Sequence, residues 1–411
     1  MRTISVYEHE TLLVGDSQNG IVFKQEHYDS LAERLGKKDD KVFPFYSLVK
    51  YQRKDGIKFK QYVGAIQVGN LTIEILPKTD KDNSNQDWKA ILLFMLSKVH
   101  KLKVSSESIS PQHLQKSTVL DFIIRRFLNE VEDIIHQGLL KTYSSKSENV
   151  TALKGKLLVR QNITKNLVHQ ERFFVQHTVY DRSHIMNRIL RQTLTCIVEH
   201  SSNSSLLQRA GSYLSCFPEM NPVAIEESLF ARLVYDRKTN GYRDAIALAK
   251  LILFNNMPDL QSGRKDTLAM LFDMNRLWEE FVFVTLRHHL AGKYTVNEQV
   301  QKRFWETKTI RPDIVIYDSN KKVVLDTKWK QPDKGYPSDS DLHQMYVYFK
   351  YFDAQKVALL YPSSETSPQI YKGTFAESGA SCDLMYFPVP VWKGNGKAWQ
   401  TAIGDAVEKW L

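Results

Sequence analysis

The sequence has 411 residues, which favours two or three domains because a typical domain has about 100–200 residues. Hydrophobic residues make up 42% of the chain and charged residues 25%, a composition that supports a buried core and excludes disordered and collagen-like proteins. The 56 lysines and arginines exceed the 46 acidic residues by 10, so the chain attracts polyanions and nucleic acid is the first partner to consider.

Membrane insertion and export are not expected. The longest apolar run is Ala90 to Leu96, far shorter than the roughly 20 residues that cross a bilayer. The first ten residues lack an apolar signal segment. Cys196, Cys216 and Cys382 are widely spaced and odd in number, which argues against a disulfide framework and a cysteine zinc site. We therefore expect a cytoplasmic protein without a membrane contact.

Residues 1–80 are predicted to form a β-rich module. Short apolar segments at 57–68 and 71–76 are bounded by turn signals at Asp55-Gly56 and Gly69-Asn70. This spacing predicts strands that are joined by tight hairpins.

A basic hairpin within this module is a candidate contact with nucleic acid or with an acidic protein partner. Its cations include Arg53, Lys54 and Lys58. A solvated hairpin that contacts nothing is the alternative.

Residues 87–257 are predicted to form a mainly helical middle domain, after a polar linker at 79–86. Apolar residues recur at helical spacing in four segments, which are Trp88–Lys98, Val119–Leu140, Ser183–Glu199 and Tyr242–Phe254. A basic segment, Lys154–Arg160, is consistent with a strand along a nucleic-acid backbone or with an ordinary exposed strand.

Residues 258–411 are predicted to form an α/β domain. A long helix at 265–289 is followed by three strands, a helix at 339–352 and a strand at 356–361. The three predicted strands lie near 294–304, 313–317 and 322–328. This order indicates a mixed sheet flanked by helices.

A hairpin in the last domain carries a pattern of acidic and basic residues that suits metal-dependent chemistry. Asp313 begins one strand, while Asp326 and Lys328 share a face of the next strand because side chains alternate. Two carboxylates and the Thr327 carbonyl are ligands that Mg²⁺, or Mn²⁺, accepts. Lys328 would then offset charge that develops on a phosphate. An isolated Asp-x-Lys is usually a surface pair, but the apolar strands around this one favour a site.

Two flanking helices offer further polar residues. Glu279 and Glu280 lie on the helix before the hairpin, and Glu279 is preferred because it lies at the edge of the buried stripe. A solvated carboxylate is the alternative for Glu279. On the later helix, Gln344 and Tyr348 are four residues apart and share a face. Taken alone, a polar and an aromatic residue at this spacing indicate an ordinary packed helix.

These residues resemble the PD-(D/E)xK nuclease motif of the restriction-endonuclease-like fold, with Asp313, Asp326 and Lys328 in its three positions. Gln344 and Tyr348 resemble the QxxxY element of RecB-like nucleases. This resemblance implies that Gln344 contacts the scissile-strand phosphate or a metal-bound water, and it makes Tyr348 a candidate contact with nucleic acid or a partner. Together with the β-rich start, the segment Leu153–Leu157 and the Met186-Asn-Arg-Ile-Leu stretch, they resemble the McrC family of McrBC modification-dependent restriction systems.

The McrC resemblance implies a multidomain α+β protein that cleaves double-stranded DNA with Mg²⁺. It also implies a partner, a McrB-like AAA+ GTPase hexamer, whose GTP hydrolysis the amino-terminal part stimulates. No GTP site is expected in this chain, since the stretch ending Gly396-Lys397 has Val391 and Ala398 where a P-loop needs glycine and a hydroxyl residue. His288 and His289 are interpreted as helix-end residues and not as metal ligands.

Two other functions remain open from the sequence. An autonomous RecB-like repair nuclease is less favoured because three scattered cysteines cannot supply the four ligands of an iron–sulfur cluster. A non-catalytic assembly subunit is disfavoured because such a protein has no physical need for two carboxylates and an amine directed at one phosphate.

Overall fold

The computed structural model describes residues 2–35, 45–77, 87–100, 118–201, 203–262, 267–318, 321–330, 336–363, 367–376, 378–389 and 396–411. The chain divides into two compact units, Met1–Phe122 with Asp266–Leu411, and Ile123–Lys265. The first unit therefore contains both ends of the chain. The predicted modules 1–80, 87–257 and 258–411 stay predictions, since one compact unit can contain more than one module. The predicted linker at 79–86 lies outside the described residues.

The described strands of the amino-terminal region are β1 (Arg2–Tyr7), β2 (Thr11–Leu13), β3 (Ser17–Gln18), β4 (Ile21–Val22), β5 (Tyr46–Tyr51), β6 (Lys54–Phe59), β7 (Tyr62–Val68) and β8 (Leu71–Leu76). Helix α1 (Gln25–Leu35) follows β4. Phe23, Leu31, Tyr46 and Ile57 belong to one buried cluster in this region. The predicted β-rich start is therefore confirmed.

The largest amino-terminal sheet includes a strand from much later in the chain. Its order is β1, β8, β7 and β12 (Thr267–Asp273). The sequence predicts a helix across 265–289, and this is wrong for its first part, where Leu268 to Phe272 are buried in a strand antiparallel to β7. A short, continuous apolar run does not distinguish a buried strand from a helix. The segment forms a strand because it pairs with β7.

One predicted turn is misplaced. The β5–β6 hairpin turns at Gln52 and Arg53, which have positive φ values of 47° and 68°, whereas Asp55 and Gly56 lie within β6. A two-residue loop with both φ values positive matches the right-handed twist of the strands. Gly56 packs closely against β2, since a Cβ there would lie 2.6 Å from Leu13 Cδ2 and 3.1 Å from the Leu12 carbonyl oxygen.

Gly64 is required where β7 passes β12. Its φ is +146°, and a Cβ would lie 2.0 Å from the Met270 carbonyl oxygen. We expect Gly64→Ala to lower the free energy of unfolding by at least about 2 kcal/mol, because it adds both backbone strain and a clash with backbone. Gly211→Ala is the matched control, since Gly211 lies in a helix with open space around its Cα and should gain up to about 1 kcal/mol. Equal denaturation midpoints for the two variants would contradict this account.

The described residues between 87 and 262 are mainly helical and also contain a small sheet. Their helices are α2 (Asp87–Val99), which belongs to the first unit, and α3 (Val119–Gln137), α4 (Val159–Asn166), α5 (Ile185–His200), α6 (Ser204–Leu214), α7 (Glu227–Ala231) and α8 (Arg243–Ser262). All four predicted helices are confirmed. The strands β9 (Thr142–Val150), β10 (Lys156–Leu157) and β11 (Phe173–Asp181) pair in the order β10, β11, β9. The basic segment Lys154–Arg160 is a strand only at β10, and it then enters α4.

The carboxy-terminal residues form a six-stranded mixed sheet, as predicted. Its order is β13 (Thr295–Glu298), β16 (Ile314–Tyr317), β17 (Lys322–Thr327), β18 (Lys356–Ser363), β20 (Ser381–Pro388) and β19 (Gln369–Tyr371). A separate two-stranded ribbon pairs β14 (Lys302–Trp305) with β15 (Lys308–Ile310). Strands β16 and β17 are antiparallel, while β17, β18 and β20 are parallel.

Three helices accompany this sheet, which are α9 (Met274–His289), α10 (Asp339–Phe352) and α11 (Gly396–Trp410). Asp273 caps α9 by accepting hydrogen bonds from the backbone N–H groups of Asn275 and Arg276. Ser338 and Asp341 form a capping box at the start of α10. Both α9 and α10 contact β17, so side chains from two helices reach the end of that strand.

Candidate active site

The β16–β17 hairpin brings the two predicted carboxylates to neighbouring positions. Ile314 lies opposite Leu325, and Asp313 and Asp326 are the adjoining residues on the two strands. The Thr327 backbone N–H donates to Asp313 Oδ2 at 2.7 Å, and the Thr327 hydroxyl donates to the same oxygen at 2.8 Å. These charge-assisted hydrogen bonds fix the Asp313 carboxylate beside the end of β17.

Lys328 joins this pair directly. Its Nζ lies 2.7 Å from Asp326 Oδ2, and the Asp326 side chain is only 2% exposed. The same ammonium donates to Gln344 Oε1 at 3.1 Å. The Lys328 backbone N–H donates to the Leu360 carbonyl at 2.9 Å, which ties the residue to β18. Residues from β17 and α10 therefore meet at one ammonium group.

Tyr348 extends the hydrogen-bonded chain through the interior. Gln344 Nε2 donates to the Tyr348 hydroxyl at 2.7 Å, and that hydroxyl donates to the Arg311 carbonyl at 3.0 Å. Burial raises the pKa of Tyr348 to about 12, so the phenol is protonated at neutral pH. The ring is 5% exposed, which favours a positioning role over the predicted contact with nucleic acid or a partner.

Glu279 reaches the same region from α9. Gln299 Nε2 donates to Glu279 Oε1 at 2.7 Å, and the Gln299 backbone N–H donates to the Asp313 carbonyl at 2.9 Å. Glu280 instead pairs with Arg276 one turn away on the helix, at 2.8 Å. Only Glu279 is linked to the carboxylate hairpin by these contacts, so the geometry favours Glu279 over Glu280.

The pKa values of the carboxyl groups of Asp313, Asp326 and Glu279 are all raised, chiefly by burial. Burial, reinforced by the neighbouring Asp313 carboxylate, raises the pKa of Asp326 to about 7. Burial also raises the pKa of Asp313, against the lowering effect of its hydrogen bonds from Thr327. The pKa of Glu279 is raised by burial and then by Asp313. Such a group of carboxylates holds its charge most readily when a cation is shared among them.

Gln299 is a part of this site that the sequence analysis missed. It follows β13, and the pairing of Glu298 with Ile314 places it across from Asp313. Gln299 reaches Asp313 because β13 pairs with β16. That pairing cannot be predicted without knowing the order of the strands in the sheet.

The other predicted residues lie elsewhere. Arg53, Lys54 and Lys58 are exposed on the β5–β6 hairpin, as a surface contact requires. Of the P-loop-like stretch, residues 390–395 lie outside the described residues, whereas Gly396 and Lys397 begin α11. No helix in the described parts of the chain is long and apolar enough to span a membrane.

The chain is similar to proteins of restriction systems. It is 21% identical over 214 residues to the type IV methyl-directed restriction enzyme EcoKMcrBC of Escherichia coli (strain K12), a match that covers 48% of this chain and 61% of that relative. The match thus spans less than two thirds of the relative's length.

The whole fold also resembles a solved structure. The refined half-complex from a tetradecameric assembly of Thermococcus gammatolerans McrB AAA+ hexamers with bound McrC contains a chain that matches with a TM-score of 0.70 and 19% identity, over 100% of both chains. A second match, in the cryo-EM structure of the Thermococcus gammatolerans McrBC complex, has a TM-score of 0.49 and 22% identity over 72% of this chain and 89% of that one.

A family match covers more than half of the sequence. Residues 57–362 match the family described as McrBC 5-methylcytosine restriction system component. This range includes the hairpin carboxylates and both helices that contact β17. The chain therefore belongs to the McrBC family of restriction system components.

Proposed function

We propose that this chain is the Mg²⁺-dependent DNA endonuclease subunit of its restriction system, with a carboxy-terminal nuclease domain of the PD-(D/E)xK type. The observation that carries the proposal is the convergence of Asp313, Asp326 and Lys328 at the end of one hairpin. A buried pair of like charges beside an ammonium is expensive to maintain in a purely structural role. Such an arrangement of buried charges is expected where the charges take part in a reaction.

The donor atoms suit a hard divalent cation. Asp313 and Asp326 offer carboxylate oxygens and Thr327 offers its carbonyl, which are ligands that Mg²⁺ and Mn²⁺ prefer. The raised pKa values of both aspartates fit residues whose charge is stabilised by a bound cation. When bound, the ion would supply Lewis-acid stabilisation of the phosphodiester oxygens. Glu279, linked to this region through Gln299, is the candidate for a further ligand or for orienting water.

Lys328 is the candidate for stabilising charge on the phosphate. Burial lowers its pKa, but the adjacent Asp326 carboxylate outweighs burial and the pKa is raised overall. The side chain therefore keeps its positive charge at neutral pH, and its role is electrostatic and not that of a general base. Gln344 accepts a hydrogen bond from the Lys328 ammonium through its amide oxygen, so the Lys328 side chain is held in position before DNA binds.

Tyr348→Phe tests whether the buried hydrogen-bonded chain positions the site. We expect cleavage to slow about tenfold while DNA affinity is unchanged, because Gln344 loses the acceptor of its amide N–H and Lys328 loses its fixed support. The lost hydrogen bonds should lower stability by about 1 kcal/mol. Tyr346→Phe is the matched control on α10, since the Tyr346 ring packs against Phe375 at 5.0 Å. Equal cleavage rates for the two variants would contradict the positioning role.

The partner is proposed to be a McrB-like AAA+ GTPase hexamer. Membership of the McrBC family supports this, as does the fold likeness to a chain of an assembly in which McrC is bound to McrB hexamers. The sequence lacks a P-loop, with Val391 and Ala398 at key positions, so GTP hydrolysis is assigned to the partner and its stimulation to residues 1–80. Arg53, Lys54 and Lys58 are candidates for that contact.

The proposed function is tested by reconstitution. The chain is mixed with its McrB-like partner, GTP and DNA containing 5-methylcytosine, and cleavage is followed on a gel. We expect cleavage that requires both proteins and Mg²⁺, that stops with a chelator and that resumes when Mg²⁺ or Mn²⁺ is restored. Cleavage by the chain alone would favour an autonomous nuclease, and metal-independent cleavage would overturn the assigned site.

A further inference from the structure

A second group of potential metal ligands lies at the far end of α9. His289 is the last residue of α9, and Asp405 and Glu408 lie three residues apart on α11. The His289 Nε2 atom lies 3.3 Å from Asp405 Oδ1 and 3.1 Å from Glu408 Oε2. Ten residues along a helix separate His289 from Glu279, or about 15 Å, so this cluster is distinct from the hairpin carboxylates.

The imidazole of His289 is held against α11 by a glycine. A Cβ on Gly404 would lie only 2.3 Å from His289 Cγ, so the ring occupies space that a side chain at position 404 would need. Two contacts join α9 and α11 in the turns that precede His289 and Gly404. Gln400 Nε2 donates to Thr285 Oγ1 at 3.1 Å, and the rings of Phe281 and Trp399 lie 4.7 Å apart. The position of the His289 ring relative to α11 is thus restricted by packing.

The three ligand atoms all lie within 4.8 Å of one another, which is close enough for them to share a metal ion. Ligands bound tetrahedrally to Zn²⁺ at about 2.0–2.1 Å lie about 3.3 Å from one another, and the two separations from His289 Nε2 are close to that value. Lys293 pairs with Glu408 through Oε1, whereas Oε2 is the oxygen that faces the imidazole. The ion pair and the proposed metal therefore use different oxygens of Glu408.

We propose that His289, Asp405 and Glu408 form a binding site for a Zn²⁺-class metal ion. One imidazole nitrogen with two carboxylate oxygens is a donor set that Zn²⁺ accepts, with a water molecule as a fourth ligand, whereas Mg²⁺ prefers oxygen donors alone. The metal would fasten the carboxy-terminal helix α11 to α9, the helix that also carries Glu279. On this proposal His289 is a metal ligand, whereas the sequence analysis interprets it as an ordinary helix-end residue.

The experiment measures Zn²⁺ binding to the full chain by isothermal titration calorimetry. The titrated protein carries the Asp326→Asn substitution, which removes one ligand of the proposed hairpin site. Binding of Zn²⁺ at that site is thereby distinguished from binding to His289, Asp405 and Glu408. We expect one saturable equivalent of Zn²⁺ that excess Mg²⁺ does not displace. His289→Gln and Glu408→Gln should each weaken binding by about tenfold or more, while His288→Gln, at the exposed neighbouring position, should leave it unchanged.

The alternative is that the three side chains form an ion-paired cluster without a metal. Absence of saturable Zn²⁺ binding in the Asp326→Asn protein would establish that alternative, and so would unchanged affinity in both ligand variants. If His289→Gln does not fold, Asp405→Asn and Glu408→Gln decide the matter, since Asp405 is 65% exposed. Cleavage is not a readout here, so failure of this proposal leaves the proposed nuclease function intact.

Discussion

Replacing Asp313 or Asp326 with asparagine is expected to abolish Mg²⁺-dependent cleavage by the reconstituted complex. Each substitution removes one anionic ligand of the proposed site, and loss of the bound cation removes several kcal/mol of transition-state stabilisation. We expect the rate of cleavage to fall at least about a thousandfold. Asparagine keeps an oxygen that can accept the Thr327 hydrogen bonds to Asp313, so the local backbone should be retained.

Metal binding provides a second measurement that does not depend on activity. A ligand that binds only the folded state raises the melting temperature by an amount that grows with the ratio of its free concentration to its Kd. We therefore expect Mg²⁺ to stabilise the parent protein and to have no such effect on either variant. Asp339→Asn is the matched control, since Asp339 is an exposed carboxylate in the first turn of α10. Parental cleavage rates in both hairpin variants would contradict the assignment of these ligands.

The juxtaposition of the hairpin carboxylates was predictable because its geometry is local. Asp313 and Asp326 border two apolar segments of a single hairpin, and the two-residue period of a strand specifies which side chains share a face. The register of Ile314 with Leu325 agrees with that expectation. Lys328 follows from the same periodicity, and its contact with Asp326 is confirmed.

The contacts and burial of the surrounding residues were not predictable because they depend on long-range packing. Gln299 meets Glu279 only through the pairing of β13 with β16. Tyr348 shares a helix face with Gln344, as predicted, but a helical period does not reveal whether that face is buried. Its burial against the sheet follows from the order of β16, β17 and β18.

The strand at 267–273 illustrates a different limit of the sequence. Its apolar residues adjoin the strong helical pattern of α9, and the two run together as one long helical segment. Asp273 marks the true boundary, since its side chain caps α9. Strand formation depends on β7, a partner about 200 residues earlier in the chain, and tertiary pairing of this kind overrides local preference.

Lys328→Ala is expected to abolish cleavage while leaving stimulation of the partner's GTP hydrolysis unchanged. Removing the ammonium leaves the buried Asp326 carboxylate without its ion-pair partner and removes the cation directed at the phosphate. We expect cleavage to fall by at least about a hundredfold. Lys322→Ala is the matched control, because Lys322 begins the same strand. Circular dichroism and melting curves would establish that each variant is folded.

The opposite pattern is expected when charge is reversed at Arg53, Lys54 and Lys58. These exposed cations belong to the amino-terminal hairpin, which is the candidate contact with the motor, and charge reversal there should reduce GTPase stimulation with no direct effect on the hairpin carboxylates. Mutations at separate sites act independently when they share no contacts. A parallel loss of GTP hydrolysis and cleavage in Lys328→Ala would contradict separate roles. Unchanged stimulation in the triple variant would identify the basic hairpin as a solvated turn.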